Sequence, residues 1–195
     1  INNTIGQVNK DNVKKILNYA SNTGIDTIDT AIAYGNSEEV LGKIGVSGFK
    51  VISKLPNIPV KTNIYNWMLE VVNGSISRLK SDNLYGLMLH NPTQLLESDK
   101  TEIISSLQKL RDLGMVKKIG VSVYSVSEIE PLFNLFQFDI IQCPFNLIDR
   151  SLVESGCSEK LKKLGVEIHT RSSFLQGLLI MPRDKIPKNF QKWDL

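Results

Sequence analysis

Cysteine and histidine are scarce in this sequence, which holds two residues of each type among 195. Two cysteines, Cys143 and Cys157, cannot form a disulfide framework, and we interpret both as small apolar side chains of a core. The two histidines, His90 and His169, have no metal-spaced partners, which argues against a metal-dependent hydrolase. We therefore predict a reducing compartment and no metal site.

Long apolar runs and a one-sided charge are also missing. No apolar run reaches the length of a membrane span, and no signal peptide precedes the first predicted helix. The 23 basic and 20 acidic residues leave a net charge of +3, without a basic stripe interleaved with aromatic residues. We therefore expect a cytoplasmic protein that binds neither a membrane nor nucleic acid. Because residue 1 is isoleucine rather than a start methionine, we expect a fragment or a chain that has lost residues at its front.

The hydrophobic pattern alternates between strand-like and helix-like segments along the chain. Apolar residues recur at helical spacing between short apolar runs, as in the predicted helix 62–80. Nearly continuous apolar runs, such as 84–90, are typical of parallel strands that are covered on both faces. We predict six strands, at 25–30, 50–55, 84–90, 118–124, 138–145 and 166–173, with helices between them that include 37–44, 127–136 and 154–164.

This alternation predicts a parallel sheet with helical crossovers, in one domain over residues 1–195. An open doubly wound sheet and a closed barrel both satisfy the pattern. The first predicted strand is not followed by Gly-x-Gly-x-x-Gly, which disfavours the dinucleotide-binding version of the open sheet.

Polar residues stand at or near the ends of these predicted strands. Side chains alternate between the two faces of a strand, so the residue two positions earlier shares a face with each polar residue. Those earlier residues are mostly apolar or small, as expected for a packed barrel interior that turns polar at its carboxyl end. The polar residues are Asp29, Lys54, His90, Ser122, Gln142 and Arg171, and the earlier residues for the first five are Thr27, Ile52, Met88, Gly120 and Ile140.

Each polar residue also has a purely structural explanation when it is taken alone. Asp29 could cap the turn before the second helix, and Lys54 could be a solvated loop lysine. His90 could bond to the backbone of the following loop, and Tyr34-Gly35 could form only a turn. Four independent coincidences at one end of one sheet would be needed, so we favour a shared site.

Asp29, Tyr34, Lys54 and His90 together make a coherent acid catalyst. A tyrosine hydroxyl has a reference pKa of about 10, and a nearby ammonium favours the phenolate and lowers that pKa. We expect Lys54 to supply this positive charge and Asp29 to hold Lys54 charged and in place. His90 can donate a hydrogen bond to a carbonyl oxygen that Tyr34 protonates, which stabilises the negative charge developing there as hydride arrives.

The segment 24–38 resembles the signature of the aldo-keto reductase family, because it contains Asp-Thr-Ala, then Tyr-Gly, then Ser-Glu in that order. Ile-Ser-Lys at 52–54 is similar to the lysine strand of the family, and 87–92 is similar to its histidine strand. The resemblance covers essentially the whole chain. It implies a TIM-type (β/α)8 barrel that reduces an aldehyde or ketone to an alcohol, with Asp29, Tyr34, Lys54 and His90 as catalytic residues and Tyr34 as the proton donor.

The resemblance also implies a nicotinamide cofactor, NADPH with NADH as the alternative. The residues that it assigns to cofactor binding are Ser122, Gln142, Arg171, Ser172, Phe174, Gln176 and Gly177. Two positions depart from the family pattern. Val123 stands where many members have asparagine after the serine, and Arg171 stands where many have an aromatic residue that stacks on nicotinamide. A guanidinium can also lie flat on a ring or pair with phosphate.

Six strands are fewer than the eight of the family barrel, so we expect the first and eighth strands to be missing from this chain. In the family, the segment after the eighth strand grips the adenosine end of the cofactor. We therefore expect residues 1–195 alone to be inactive as a reductase. The segment 171–179 resembles bacterial members that act on sugars or polysaccharide precursors, which suggests a sugar-derived carbonyl substrate.

Two other functions remain open from the sequence. Lys54 could be a Schiff-base lysine, as in barrel aldolases, although this leaves the Tyr34-Gly35 signature unused. A regulatory or redox-sensing subunit could keep the fold and the cofactor without turnover. A serine hydrolase is disfavoured because the sequence has no Gly-x-Ser-x-Gly elbow.

Overall fold

The computed structural model describes residues 6–97 and 100–190, in which strands and helices alternate. The strands are β1 (Thr27–Asp29), β2 (Lys50–Leu55), β3 (Leu84–Leu89), β4 (Val116–Ser122), β5 (Ile140–Pro144) and β6 (Glu167–Arg171). The helices are α1 (Lys10–Asn22), α2 (Ser37–Ile44), α3 (Ile64–Leu79), α4 (Lys100–Asp112), α5 (Ile129–Phe133), α6 (Ser151–Glu154) and α7 (Cys157–Lys163). Short 3-10 turns occupy Pro92–Leu95, Val126–Glu128, Leu175–Ile180 and Arg183–Lys185.

The six strands are parallel and form one sheet in the order β1-β2-β3-β4-β5-β6. Neighbouring strands lie about 4.8 Å apart, so β1 and β5 would be about 19 Å apart in a flat sheet. Gln142 Nε2 at the end of β5 nevertheless lies 3.0 Å from Asp29 Oδ1 at the end of β1. The sheet is therefore curled into part of a barrel, with helices on its convex face, which confirms the predicted incomplete (β/α)8 fold.

The two faces of the curled sheet carry separate groups of buried side chains. On the concave face, Ile52, Met88 and Ile140 are fully buried against one another, with Tyr85 packed beside them. On the convex face, strand residues pack under the helices; they include Leu87, Leu89, Val121 and Ile141. Each fully buried aliphatic side chain contributes about 1.5–3 kcal/mol. The alternation predicted from the sequence is confirmed, and it directs Asp29, Lys54, Ser122 and Gln142 to the concave face.

Two glycines allow the concave face to close around Ile140. A Cβ at Gly120 would lie 2.6 Å from the Ile140 carbonyl oxygen, and a Cβ at Gly86 would lie 2.7 Å from Ile140 Cδ1. The space that side chains would fill at these positions is therefore occupied by β5. Small residues on β3 and β4 let the strands curl tightly enough to bring β5 towards β1.

Local sequence signals set several helix ends, and some predicted boundaries were wrong. The Asn9 side chain accepts a hydrogen bond from Asn12 N at 2.9 Å and caps α1. The helix predicted at 154–164 is α7 and begins only at Cys157, because Gly156, which separates it from the short α6, has a left-handed φ of 73°. The segment predicted as one helix at 127–136 is a 3-10 turn followed by α5, and β4 begins at Val116 rather than at 118.

Both cysteines are free. Cys143 is buried among the residues of the convex face, and Cys157 is half-buried against them. Burial raises the pKa of the Cys143 thiol to about 11, which makes it a poor nucleophile. These positions agree with the interpretation of the cysteines as core side chains. No helix in the described ranges is both long and apolar enough to span a membrane.

Candidate active site

An ion pair with a buried ammonium lies at the carboxyl ends of β1 and β2. Lys54 Nζ donates to Asp29 Oδ1 at 2.7 Å and to Asp29 Oδ2 at 2.6 Å. A third donation goes to the carbonyl oxygen of Thr30 at 2.9 Å. The Lys54 side chain is 1% exposed and that of Asp29 is 39% exposed, so the ammonium lies inside and the carboxylate faces the opening. An ammonium has three hydrogens, and each has an acceptor here.

The polar end of β4 and β5 completes this cluster. Gln142 Nε2 donates to Asp29 Oδ1 at 3.0 Å, and Ser122 Oγ donates to Gln142 Oε1 at 3.2 Å. Ser122 pairs in register with Gln142, which places the two side chains next to each other on the concave face. Asp29, Lys54, Ser122 and Gln142 thus form one hydrogen-bonded chain at the end of the curled sheet where the sequence pattern placed them.

Tyr34 lies in the turn between β1 and α2, beside the ion pair. Its backbone N–H donates to Ala31 O at 3.0 Å, and its own carbonyl accepts from Ser37 N at 3.1 Å. Lys54 Nζ lies 5.3 Å from the centre of the Tyr34 ring. The imidazole of His90 meets the same ring edge to face, with centroids 5.8 Å apart. The structure therefore brings Asp29, Tyr34, Lys54 and His90 together.

The ionisation of Tyr34 differs from the expectation drawn from the sequence. The pKa of Tyr34 is raised above its ordinary value of 10.0, first by burial and then by the negative charge of Asp29. Two Asp29 oxygens neutralise the Lys54 ammonium, so the expected lowering of this pKa by Lys54 was wrong. Arg171 is the cation that opposes the rise. Tyr34 therefore keeps its proton at neutral pH and can serve as a donor.

Burial also sets the charge of the two other titratable groups beside the Tyr34 ring. The pKa of Lys54 is lowered by burial, and the hydrogen bonds to Asp29 oppose this effect. The pKa of His90 is lowered below 6.5 by burial and by the nearby Lys54 charge. The imidazole is therefore neutral at pH 7, with one ring N–H available as a hydrogen-bond donor.

A cavity of about 620 Å³ opens beside His90. The residues that line it carry no carboxylate, ammonium or guanidinium group: Ala33, Pro56, Asn57, His90, Asn91 and Tyr124. The cavity is large enough for a small organic molecule. Its position brings such a molecule next to the Tyr34–His90 pair.

Arg171, at the end of β6, contacts Tyr124, which lines this cavity. Its guanidinium lies 4.7 Å from the centre of the Tyr124 ring, and Nη2 donates to the Val123 carbonyl at 3.0 Å. Nη1 also lies 3.4 Å from Ser172 Oγ. The Val123 side chain is fully buried in the convex core, so only its backbone reaches the site. The two positions that depart from the family pattern are therefore joined by one hydrogen bond.

The loop after β6 contains the remaining residues that the sequence assigned to cofactor binding. Ser172, Gln176 and Gly177 have left-handed φ values of 60°, 56° and 92°. Leu175 is also left-handed, with a φ of 45°, so three successive residues of the loop share this conformation. Phe174 in the same loop is 59% exposed. The loop is anchored by Asn146 Nδ2, which donates a hydrogen bond to the Ser172 carbonyl oxygen at 3.3 Å. The loop lies directly after Arg171 and at the same edge of the sheet.

Sequence reasoning assigned no role in the site to several residues that support it. Thr30 contributes only its carbonyl, and Tyr124 contributes the ring under Arg171. Glu38 is a buried carboxylate whose partners are 15, 37 and 40 residues away. No local spacing signals contacts at such separations. In the described ranges, no group of three or more His, Cys, Asp or Glu side chains could hold a metal ion.

Comparisons with known proteins show the family of this chain. The model of the aldo/keto reductase family matches residues 1–194. Aldo-keto reductase YhdN from Bacillus subtilis (strain 168) is 30% identical over 152 residues, an alignment that covers 70% of this chain and 44% of YhdN. The chain thus spans less than half the length of this relative.

Solved structures share the fold. The holo form of an aldo-keto reductase from Bacillus halodurans matches with a TM-score of 0.78, at 20% identity over 93% of this chain and 63% of that one. An aldo-keto reductase from Klebsiella pneumoniae in complex with NADPH matches with a TM-score of 0.69, at 21% identity over 87% of this chain and 60% of that one. Family model, relative and fold agree, and the chain belongs to the aldo/keto reductase family.

Proposed function

We propose that this chain carries the catalytic part of an NADPH-dependent reductase that converts an aldehyde or ketone to an alcohol, with Tyr34 as the proton donor. The observation that carries the proposal is the contact of Tyr34 with both Lys54 and His90 above the buried Asp29–Lys54 pair. Family membership and the NADPH complex of the Klebsiella protein support the cofactor. The segment 171–179 favours a sugar-derived substrate.

Tyr34 and His90 face the position that a carbonyl oxygen would take. A substrate in the cavity beside His90 can receive a hydrogen bond from the neutral imidazole. The Tyr34 hydroxyl then transfers its proton to the same oxygen as negative charge develops there. Because its pKa is raised, the phenol does not ionise before that charge appears. Arg171 is the cation that favours the phenolate that is left, and Asp29 holds the Lys54 ammonium beside the ring.

The residues at the polar edge fit a nicotinamide cofactor, which would supply the hydride. Ser122 and Gln142 offer a hydroxyl and an amide side chain, the donor and acceptor types that a carboxamide needs. The Asp29–Gln142 hydrogen bond fixes the orientation of that amide. We assign Ser172, Phe174, Gln176 and Gly177 to the diphosphate and Arg171 to its neighbourhood, because the loop directly follows Arg171 and a guanidinium favours anions.

The proposal is tested by NADPH oxidation in the longest natural polypeptide that carries these residues. The protein is mixed with NADPH and with aldehydes, ketones and sugars in turn, and the alcohol product is measured against NADPH consumed. We expect one alcohol formed per NADPH with at least one carbonyl class. NADH in parallel gives the cofactor preference. NADPH that binds tightly but is not oxidised with any class would favour the regulatory subunit instead. The expected inactivity of residues 1–195 alone stays a prediction.

The Schiff-base function is less compatible with the contacts of Lys54. A nucleophilic amine needs a free lone pair, whereas this nitrogen donates to both Asp29 oxygens and to Thr30 O. Borohydride trapping with a keto substrate distinguishes the two functions. A stable adduct on Lys54 would support the lysine mechanism, and its absence together with NADPH oxidation would support reduction.

A further inference from the structure

Glu38 is a buried carboxylate that the proposed mechanism does not use. Its side chain is 3% exposed, although it lies in the first turn of a surface helix, α2. Oε2 accepts from Arg78 Nε at 2.9 Å and Nη2 at 2.7 Å, a bidentate pair with α3. A carboxylate is this deeply buried only where partners compensate the lost hydration.

The second oxygen of Glu38 accepts from two buried serines. Ser53 Oγ of β2 donates to Oε1 at 2.7 Å, and Ser75 Oγ of α3 donates to the same oxygen at 2.6 Å. Both serines are fully buried. One carboxylate thus joins three elements, since it lies on α2 and binds β2 and α3.

The hydrogen bond between Glu38 and Ser53 connects α2 to the strand that carries Lys54. Ser53 precedes Lys54, and the two side chains point to opposite faces of the same strand. Glu38 follows Tyr34 by four residues, and the intervening Ser37 hydroxyl lies 3.0 Å from that of Thr30, whose carbonyl binds Lys54. The Glu38–Ser53 bond therefore fixes the start of α2, and with it the preceding turn that carries Tyr34, against the strand that carries Lys54.

The tie to α3 has a different consequence. Gly42 lies one turn after Glu38, and a Cβ there would come within 2.0 Å of the Arg78 carbonyl oxygen. The two helices are therefore in backbone contact at this point. Ser75 and Arg78 hold α3 against α2 on the convex side of the sheet, away from the four proposed catalytic residues.

We infer that Glu38 is a positioning residue of the reductase site, which sets Tyr34 over Lys54 through its hydrogen bond to Ser53. The inference rests on the proposed function. The two hydrogen bonds to Glu38 Oε1 then have different roles. The bond from Ser53 keeps Tyr34 positioned beside the Lys54 ammonium, whereas the bond from Ser75 only holds α2 and α3 together.

Ser53→Ala and Ser75→Ala form a matched pair for the test. Each removes one buried hydroxyl from the same carboxylate oxygen, so the melting temperature should fall by similar amounts. We expect kcat to fall about tenfold in Ser53→Ala and less than about twofold in Ser75→Ala, because small displacements of reacting groups are costly. The KM for the carbonyl and the Kd for NADPH should stay near the parent values in both variants.

Two further variants support the same comparison. Glu38→Gln should lower kcat at least as much as Ser53→Ala, whereas Glu39→Gln on the exposed side of α2 should leave it unchanged. Equal kcat values for Ser53→Ala and Ser75→Ala would overturn the inference and leave Glu38 a structural residue. If Glu38→Gln does not fold, the serine pair still decides.

A spectroscopic measurement separates this inference from the proposed function. Tyrosine labelled with ¹³C at Cζ gives one signal per ring, and Tyr34→Phe identifies the signal of Tyr34. We expect that signal to move in Ser53→Ala and to keep its parent position in Ser75→Ala. A protein that oxidises no NADPH refutes the proposed function while this shift can still be observed. Unchanged Tyr34 signals in both variants refute the positioning by Glu38 even if reduction is found.

Discussion

Lys54 Nζ lies 2.6 Å from Asp29 Oδ2, yet the two side chains differ sharply in exposure, 1% for Lys54 and 39% for Asp29. The ammonium depends on the carboxylate, because little water reaches it. The carboxylate keeps part of its hydration if the ammonium is removed. The two partners should therefore respond differently to substitution.

Asp29→Asn should destabilise the fold more than Lys54→Met does. Asparagine leaves a buried ammonium without its counter-ion, which costs about 3 kcal/mol in the free energy of unfolding. Methionine replaces the buried chain with an apolar one of similar length, and the expected change is below about 2 kcal/mol in either direction. Urea denaturation of both variants measures the difference. Equal losses, or a larger loss in Lys54→Met, would mean that the pair is hydrated and not buried.

Tyr34→Phe should remove most of the reductase activity without weakening the cofactor complex. General acid catalysis contributes about a hundredfold or more, and the hydroxyl acts on the transition state rather than on cofactor binding. Steady-state kcat and the Kd for NADPH are the measurements. Tyr19→Phe, at an exposed tyrosine of α1, is the control and should behave like the parent. A loss of only a few-fold in Tyr34→Phe would mean that another group donates the proton.

His90 should make the fold less stable as the pH falls below 6.5. Its pKa in the folded protein is lowered by burial and by Lys54, so the unfolded chain takes up the proton first. The free energy of unfolding therefore decreases from about pH 6.5 down to the folded pKa and is independent of this group above that window. Denaturation at several pH values should show a flatter profile in His90→Gln. His169→Gln is the control, and a profile that flattens only in that variant would contradict the assignment.

The sequence predicted the parallel order and the tetrad because both depend on local signals. Strand alternation gives the inward parity of Asp29 and Lys54, and the turn after β1 supplies Tyr34. The ionisation and orientation of these side chains depend on contacts between residues that are distant in sequence, and the spacing of residues along the chain does not reveal such contacts. The pKa of Tyr34 is raised by burial and by the charge of Asp29. Arg171 packs on the ring of Tyr124, which lies in the loop after β4 and is distant in sequence. Helix boundaries failed where one left-handed residue, Gly156, interrupts an otherwise helical pattern.

Gly120→Ala should destabilise the curled sheet more than Gly86→Ala. The added methyl group at residue 120 would meet the Ile140 carbonyl oxygen at 2.6 Å, and backbone can move aside only by shifting β5. At residue 86 it would meet the Ile140 Cδ1 atom at 2.7 Å, which a rotamer change can displace. We expect losses of about 1–3 kcal/mol for Gly120→Ala and below about 1 kcal/mol for Gly86→Ala. Thermal unfolding of the two variants compares them, and the reverse order would contradict the tight β4–β5 approach.

Arg171→Met should move the alkaline limit of reduction to higher pH. The guanidinium lies over the Tyr124 ring, bonded to the Val123 carbonyl, and its charge opposes the rise in the pKa of Tyr34. A cation near a phenol favours the phenolate, so its removal raises the pKa of Tyr34 further. The proton donor then stays protonated to a higher pH, and the decline of kcat on the alkaline side should shift upward.

Two variants separate this effect of charge from other consequences of changing Arg171. Arg171→Lys keeps the positive charge and should keep the alkaline limit of the parent, even if the loss of the planar guanidinium weakens cofactor binding. Arg150→Met removes an exposed arginine paired with Glu154 and should leave the profile unchanged. The kcat for reduction, measured across the alkaline range at saturating NADPH, decides between the outcomes. An alkaline limit that stays fixed or moves downward in Arg171→Met would mean that Tyr34 does not sense this charge, and that Arg171 acts on the cofactor alone.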